Sequence, residues 1–226
     1  MWNQLLKLWK SDNLLVQAWD QSYEMLEIAR DMCLEAMRIL RESDDTVINK
    51  DIRQKDKKVN EYEQDVRRKV MTHCTVQGPN ELPGGMVLVS IVIDIERIGD
   101  YAKNILDLAE VHSNRLDIPD LEEDLHQIES TTKERFKETI RILREQDEDG
   151  AKHQMSTLKK ELSLICDTIV DRAAGGKINS ITPDDCAALA LYARYLKRIN
   201  SHLNNMVTSV ANPFEKIGFQ SEETKT

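Results

Sequence analysis

The segment MVLVSIVIDIERIGDYAKNILDLAE, Met86 to Glu110, decides the fold. Leu88, Ile91, Ile95, Ile98, Ala102, Ile105 and Ala109 recur at alternating steps of three and four. That spacing is the seam of a helix packed in a bundle core. Glu96, Asp100, Asn104 and Asp107 form a second stripe at i, i+4, i+8 and i+11. A helix that already owns a clean apolar seam gains nothing in packing from such a stripe. Carboxylates one turn apart repel, at a cost of roughly a few tenths of a kcal/mol even when exposed. A cation would turn that cost into a site.

The seam occurs twice. Adding 101 to its positions gives Leu189, Tyr192, Leu196, Ile199, Leu203, Met206 and Val210, every one apolar. A second self-match, at an offset of 103, aligns EAMRILRESD (Glu35 to Asp44) with ETIRILREQD (Glu138 to Asp147). The acidic stripe is not duplicated: Glu96, Asp100 and Asn104 map to Lys197, Ser201 and Asn205. The duplication keeps what packing requires and drops the carboxylates, so the stripe is separable from the fold.

Outward from these seams, the chain reads as an all-α six-helix bundle made of two tandem three-helix repeats. Only eight Gly and five Pro interrupt 226 residues, 31% of them charged and 40% hydrophobic, which favours long helices over sheet. Helices are expected over about 13–42, 46–75, 86–112, 119–147, 151–173 and 183–211. Their breaks are read at Ser43 to Thr46, Gly78-Pro79-Asn80 with Pro83-Gly84-Gly85, His112-Ser113-Asn114, Asp149-Gly150 and Gly175-Gly176. Thr182 is placed as the cap of the last helix, with Pro183 at its first position. The organisation expected is an amphipathic N-terminal segment (1–12), a first repeat (13–115), a second repeat (119–214) and a polar, mobile tail (215–226), forming one compact domain.

Charge and composition narrow the function. A net charge of −9 argues against a nucleic-acid binder, which would carry a basic face. Cys33, Cys74, Cys166 and Cys186 form no C-x-x-C pair and read as thiols of a reducing cytosol. No run of about 18 apolar residues marks a membrane span, and the start MWNQLLKLWK has no signal-peptide core. Trp2, Leu5, Leu6 and Trp9 share one helical face. They pack on the bundle or dock on a membrane surface or a partner.

The stretch IERIGDYAKNI, Ile95 to Ile105, resembles the signature helix of the PhoU family. DKKVNEYEQDV, Asp56 to Val66, resembles that family's D-x-x-V-N-x-x-E segment through Asp56, Asn60 and Glu63. The resemblance covers about residues 13–212. It implies a six-helix, two-repeat bundle whose third helix carries a Glu/Asp-x-x-x-Asp motif, here Glu96 and Asp100. It also implies a bound metal on oxygen ligands: iron, Mn, Mg or Ca. The second repeat departs from the pattern at KRINSH (197–202), and its middle helix has no D-x-x-V-N-x-x-E match. One metal site is therefore expected, in the first repeat.

Asp56, Asn60 and Glu63 on one helix and Glu96, Asp100 and Asn104 on the next would together offer four carboxylates and two amides. No His-x-x-x-His accompanies them, so a Cys/His zinc site is not expected. His202 reads as a half-buried or surface histidine rather than a ligand. No G-x-S-x-G, P-loop or glycine-rich phosphate cradle is present, and no enzyme is expected. What the resemblance implies is a cytoplasmic regulator of phosphate uptake, contacting a phosphate transporter and a sensor histidine kinase. A metal-storing bundle and a carboxylate-bound metallohydrolase are the alternatives. A homodimer and peripheral membrane contact stay open.

Overall fold

The computed structural model describes residues 13–44, 50–112, 114–158, 162–178 and 181–219. Its helices are α1 (Leu14–Glu42), α2 (Lys50–Gln77), α3 (Leu82–Val111), α4 (Glu122–Glu145), α5 (Glu148–Leu158), α6 (Leu164–Ala174) and α7 (Pro183–Ala211). Single 3-10 turns at Pro79–Glu81, Pro119–Leu121 and Phe214–Lys216 complete them, and the described residues contain no strand. None of the described helices is long and apolar enough to cross a membrane.

Capping fixes the ends. Asn13 Oδ1 accepts from the backbone of Leu15 (2.9 Å) and Val16 (3.4 Å), starting α1. Thr182 and Asp185 form a reciprocal capping box on α7, each side chain accepting from the other's backbone N–H. Pro183 stands in the first turn, as expected.

Three breaks differ from the expectation. Pro83, Gly84 and Gly85 do not interrupt the chain but open α3, because proline in a first turn forfeits no intrahelical hydrogen bond. Gly85 is there for proximity: a Cβ on it would lie 2.8 Å from Cys74 Sγ and Val70 Cγ1 of α2. Asp149 and Gly150 likewise lie inside the first turn of α5. The break sits just before them, where Gln146 takes a left-handed backbone (φ 53°) and Asp147 Oδ1 accepts from Gly150 N at 3.0 Å, capping α5. The single helix expected over 151–173 is two described segments, α5 and α6, on either side of 159–161. The start of the tail is also ordered: Gly218 N donates to Thr208 Oγ1 of α7 at 2.7 Å.

The duplicated seams are the centre of the bundle. Leu88, Ile91, Ile95, Ile98, Ala102 and Ile105 of α3 are at most 1% exposed, and Leu189, Tyr192, Leu196, Ile199, Leu203 and Met206 of α7 are 0% exposed. α3 packs against α1, α2 and α7, while α7 also receives α4, α5 and α6. Each repeat thus wraps its outer helices around its own copy of the seam, and the two seam helices meet. Burial at this density is the main favourable term in the fold.

The repeats are strapped together along their connection. Leu116 and Ile118 are fully buried. Leu116 N donates to Leu40 O at 2.8 Å, and the Leu116 carbonyl accepts from Arg41. The Arg41 side chain, 10% exposed, also pairs with Glu129 at 2.9 Å and Glu122 at 2.6 Å on α4. Tyr192 of α7 donates to the same Glu129 at 2.8 Å.

Candidate functional site

The antiparallel register of α2 on α3 brings the two acidic stripes face to face. A Cβ at Gly99 would meet Val59 Cγ1 at 3.5 Å. Val70 lies opposite Gly85, and Arg53 pairs with Asp107 (2.8 Å) and Glu110 (2.7 Å). In this register Glu63 faces Glu96, and Asp56 faces the Asp100–Lys103 turn. The side chains of Asp56, Glu63, Glu96 and Asp100 are 16%, 14%, 20% and 32% exposed, so each is partly withdrawn from water. Asn60 and Asn104 are half-buried on the same faces.

What lies between the stripes is a lysine. Lys103 Nζ donates to Asp100 Oδ1 at 3.0 Å and to the two oxygens of Asp56 at 3.2 and 3.3 Å, bridging α3 to α2. Glu63 is held by Arg67 at 2.7 Å. The exposed Arg97 reaches Glu96 at 3.6 Å and Asp100 at 3.5 Å. Burial, followed by the charges of Asp100 and Glu63, raises the Glu96 pKa above the usual carboxylate value. Burial alone would lower the Lys103 pKa; the hydrogen bond to Asp100 and the charge of Asp56 outweigh it and raise the pKa. The ammonium is therefore firmly charged.

By donor type, the four carboxylates and two amides suit a hard divalent cation. By arrangement they do not fit one here. Among the described residues no three His, Cys, Asp or Glu side chains close on a common point. The point where Asp56 and Asp100 converge is filled by Lys103. Lys103 is the residue that reading the sequence for acids overlooks, although its i+3 spacing from Asp100 already puts it on their face.

The second repeat has no acidic stripe. Lys197, at the position of Glu96, donates to Asp167 of α6 at 2.6 Å. Ser201 bonds its own helix, and Asn205 donates to Asp94 of α3 at 3.2 Å. His202 is half-buried, 2.7 Å from Asp94 and stacked on Tyr101 with ring centroids 5.8 Å apart. This bridge between the seam helices was invisible in the sequence, since its members lie 108 positions apart. His73 and Cys74 each touch Glu81, His73 at the carboxylate (3.3 Å) and Cys74 at the carbonyl (3.6 Å). Trp2 and Trp9 lie outside the described residues.

Residues 23–109, most of the first repeat, match the family model described as the PhoU domain. No curated protein sequence matches the chain. Among solved structures, the chain is similar to the phosphate transport system regulatory protein PhoU from Streptococcus pneumoniae. That likeness has TM-score 0.75 and 15% identity, and it covers 87% of this chain and 92% of that one. It is also similar to PhoU from Pseudomonas aeruginosa, with TM-score 0.64 and 18% identity, covering 93% of this chain and 97% of that one. At these identities the likeness is one of fold. The PhoU resemblance read from Ile95–Ile105 and Asp56–Val66 is met in the family match, and the two-repeat bundle in the solved structures.

Proposed function

We propose that this chain, a PhoU domain over residues 23–109 within a PhoU-like fold, regulates phosphate transport by binding other proteins rather than by catalysis. The observation that carries this reading is the coincidence of the family match with the facing stripes. The residues that resemble the family's motifs are the ones the α2–α3 register juxtaposes. Four partly buried carboxylates on rigid helices make a preorganised charged surface. Such a surface gives specificity and orientation to a protein contact more than raw affinity.

The partners in this reading are the cytoplasmic side of a phosphate transporter and, where one is present, its sensor histidine kinase. Residues 1–12, with Trp2 and Trp9, would bring the bundle to the membrane surface. The metal expected on Asp56, Asn60, Glu63, Glu96, Asp100 and Asn104 carries no part of this reading, because Lys103 stands where Asp56 and Asp100 converge.

Deleting the gene and measuring phosphate uptake together with phosphate-responsive transcription tests the regulatory reading. Uptake or transcription that no longer falls when phosphate is plentiful is the expected result. Unchanged behaviour in both would leave a metal-storing bundle as the better description.

A further inference from the structure

We propose that residues 1–12 fold back on their own chain, seating the apolar face of Trp2, Leu5, Leu6 and Trp9 on an uncovered apolar stripe along the first half of α3. The inference concerns the chain in solution, away from a membrane, and goes beyond the regulatory reading.

The stripe is Leu82, Met86, Val89 and Ile93, at i, i+4, i+7 and i+11 of α3. Leu82, Met86 and Ile93 are 46%, 48% and 37% exposed, and Val89 is half-buried. The same face of α3 continues as Asp100, Asn104 and Asp107, so one side of the helix is apolar at its start and acidic at its end. The neighbouring helices pack on other sides. Leu15 of α1 meets Gly84, and Val70 and Cys74 of α2 meet Gly85. His202 and Asn205 of α7 meet Asp94. Among the described residues no helix lies over the stripe. Exposed apolar side chains widen it on both flanks. Met71 of α2 adjoins Val70, and Phe219 follows Gly218, where a Cβ would lie 3.5 Å from Asn205 Oδ1. Apolar side chains gathered on one solvated face mark a surface that something covers.

Residues 1–12 carry the complementary face. Trp2, Leu5, Leu6 and Trp9 fall on one side of a helix, with Asn3, Gln4 and Lys7 opposite. The segment also ends in the right place. It leads into Asn13, the cap of α1. α1 runs beside α3 in the same direction, with Leu15 against Gly84 and Met32 against Gly99. Asn13 therefore stands level with Leu82, the first residue of α3. Residues 10–12, extended, span about 10 Å. That is roughly one helix diameter, enough to pass around the start of α3 from the α1 side to the stripe. A helix over residues 2–9 is about 12 Å long, against about 16 Å for residues 82–93, so the two apolar faces match in length. A tether this short holds the segment at roughly millimolar effective concentration, and a weak apolar contact then suffices to keep it seated.

The test is hydrogen-exchange mass spectrometry of the full chain, read on residues 2–9, with the rate of Met86 oxidation by peroxide as the reading of the stripe. Wild type is compared with Met86→Asp plus Ile93→Asp, which spoils the stripe, and with Trp2→Ser plus Trp9→Ser, which leaves the bundle untouched. Circular dichroism verifies the fold of both variants. A segment seated about nine-tenths of the time exchanges roughly tenfold more slowly than an unstructured chain. That protection in wild type, its loss in both variants and severalfold faster oxidation of Met86 in the tryptophan variant are the expected results. Residues 2–9 exchanging as an unstructured chain in wild type, or staying protected in the stripe variant, would overturn the fold-back. Protection that grows with chain concentration would make a second copy the occupant. Protection that appears only with phosphatidylglycerol vesicles would make the segment's seat a membrane. Either outcome would overturn the proposal as well.

Discussion

Gly84 and Gly85 are neighbours with opposite roles. A Cβ on Gly84 would make an ordinary 3.9 Å contact with Leu15, whereas one on Gly85 would collide at 2.8 Å with Cys74 and the β-branched Val70. Alanine gains about 1 kcal/mol over glycine in a helix from backbone entropy. Overpacking a tight core costs about 1–3 kcal/mol. Gly84→Ala should therefore be neutral or slightly stabilising, and Gly85→Ala a net loss of about 1 kcal/mol, read from urea unfolding midpoints. The sequence shows two glycines after a proline and suggests a turn. It does not show what approaches them, because proximity to Val70 belongs to the α2–α3 register. The bridge from Lys103 to Asp56 is hidden for the same reason, since the two lie 47 positions apart.

The helices themselves were legible because their causes are local. Seam spacing, the Thr182-Pro183 start and the Asn13 cap act within one or two turns. Even the interrupted helix kept its packing logic: Ala151, Met155, Leu162, Cys166, Ile169 and Ala173 are buried at helical steps across the break between α5 and α6. The capping box gives α7 a pH signature. Burial alone would raise the Asp185 pKa; hydrogen bonds from Thr182, with the nearby His112 at 3.1 Å, outweigh it and hold the carboxyl below its usual range. A carboxyl more acidic in the folded than in the unfolded chain adds stability above the unfolded value, about 3.9. That stability is lost as pH falls through the folded value. The stability gap between wild type and Asp185→Asn should therefore be widest near neutrality and shrink below about pH 4, as thermal melts across that range would show.

At the level of the whole molecule, the duplicated RILRE segments make exchanged contacts. Arg41 of α1 reaches Glu122 and Glu129 of α4, and Arg144 of α4 lies over the Tyr23 ring of α1 at 5.5 Å. The two contacts are unequal in burial, with Arg144 54% and Arg41 10% exposed. Removing one member of a buried ion pair costs about 3–5 kcal/mol when the other stays dehydrated. Glu122 can turn to water and Glu129 keeps Tyr192, so Arg41→Met should cost about 2–3 kcal/mol, measured by chemical denaturation. The duplication was evident in the sequence, but which surfaces of the two copies meet was not. The ion pairs that decide it join residues 81 and 88 positions apart.

The strap at Leu116–Ile118 has a consequence for how the molecule comes apart. A tether between independent units leaves each free to melt at its own temperature. Here the connecting segment is buried, hydrogen-bonded to Leu40 and gripped by Arg41. Opening either half exposes the seam of the other. The two halves therefore share a single cooperative unit, and a disturbance at one end of the bundle is felt as free energy at the other.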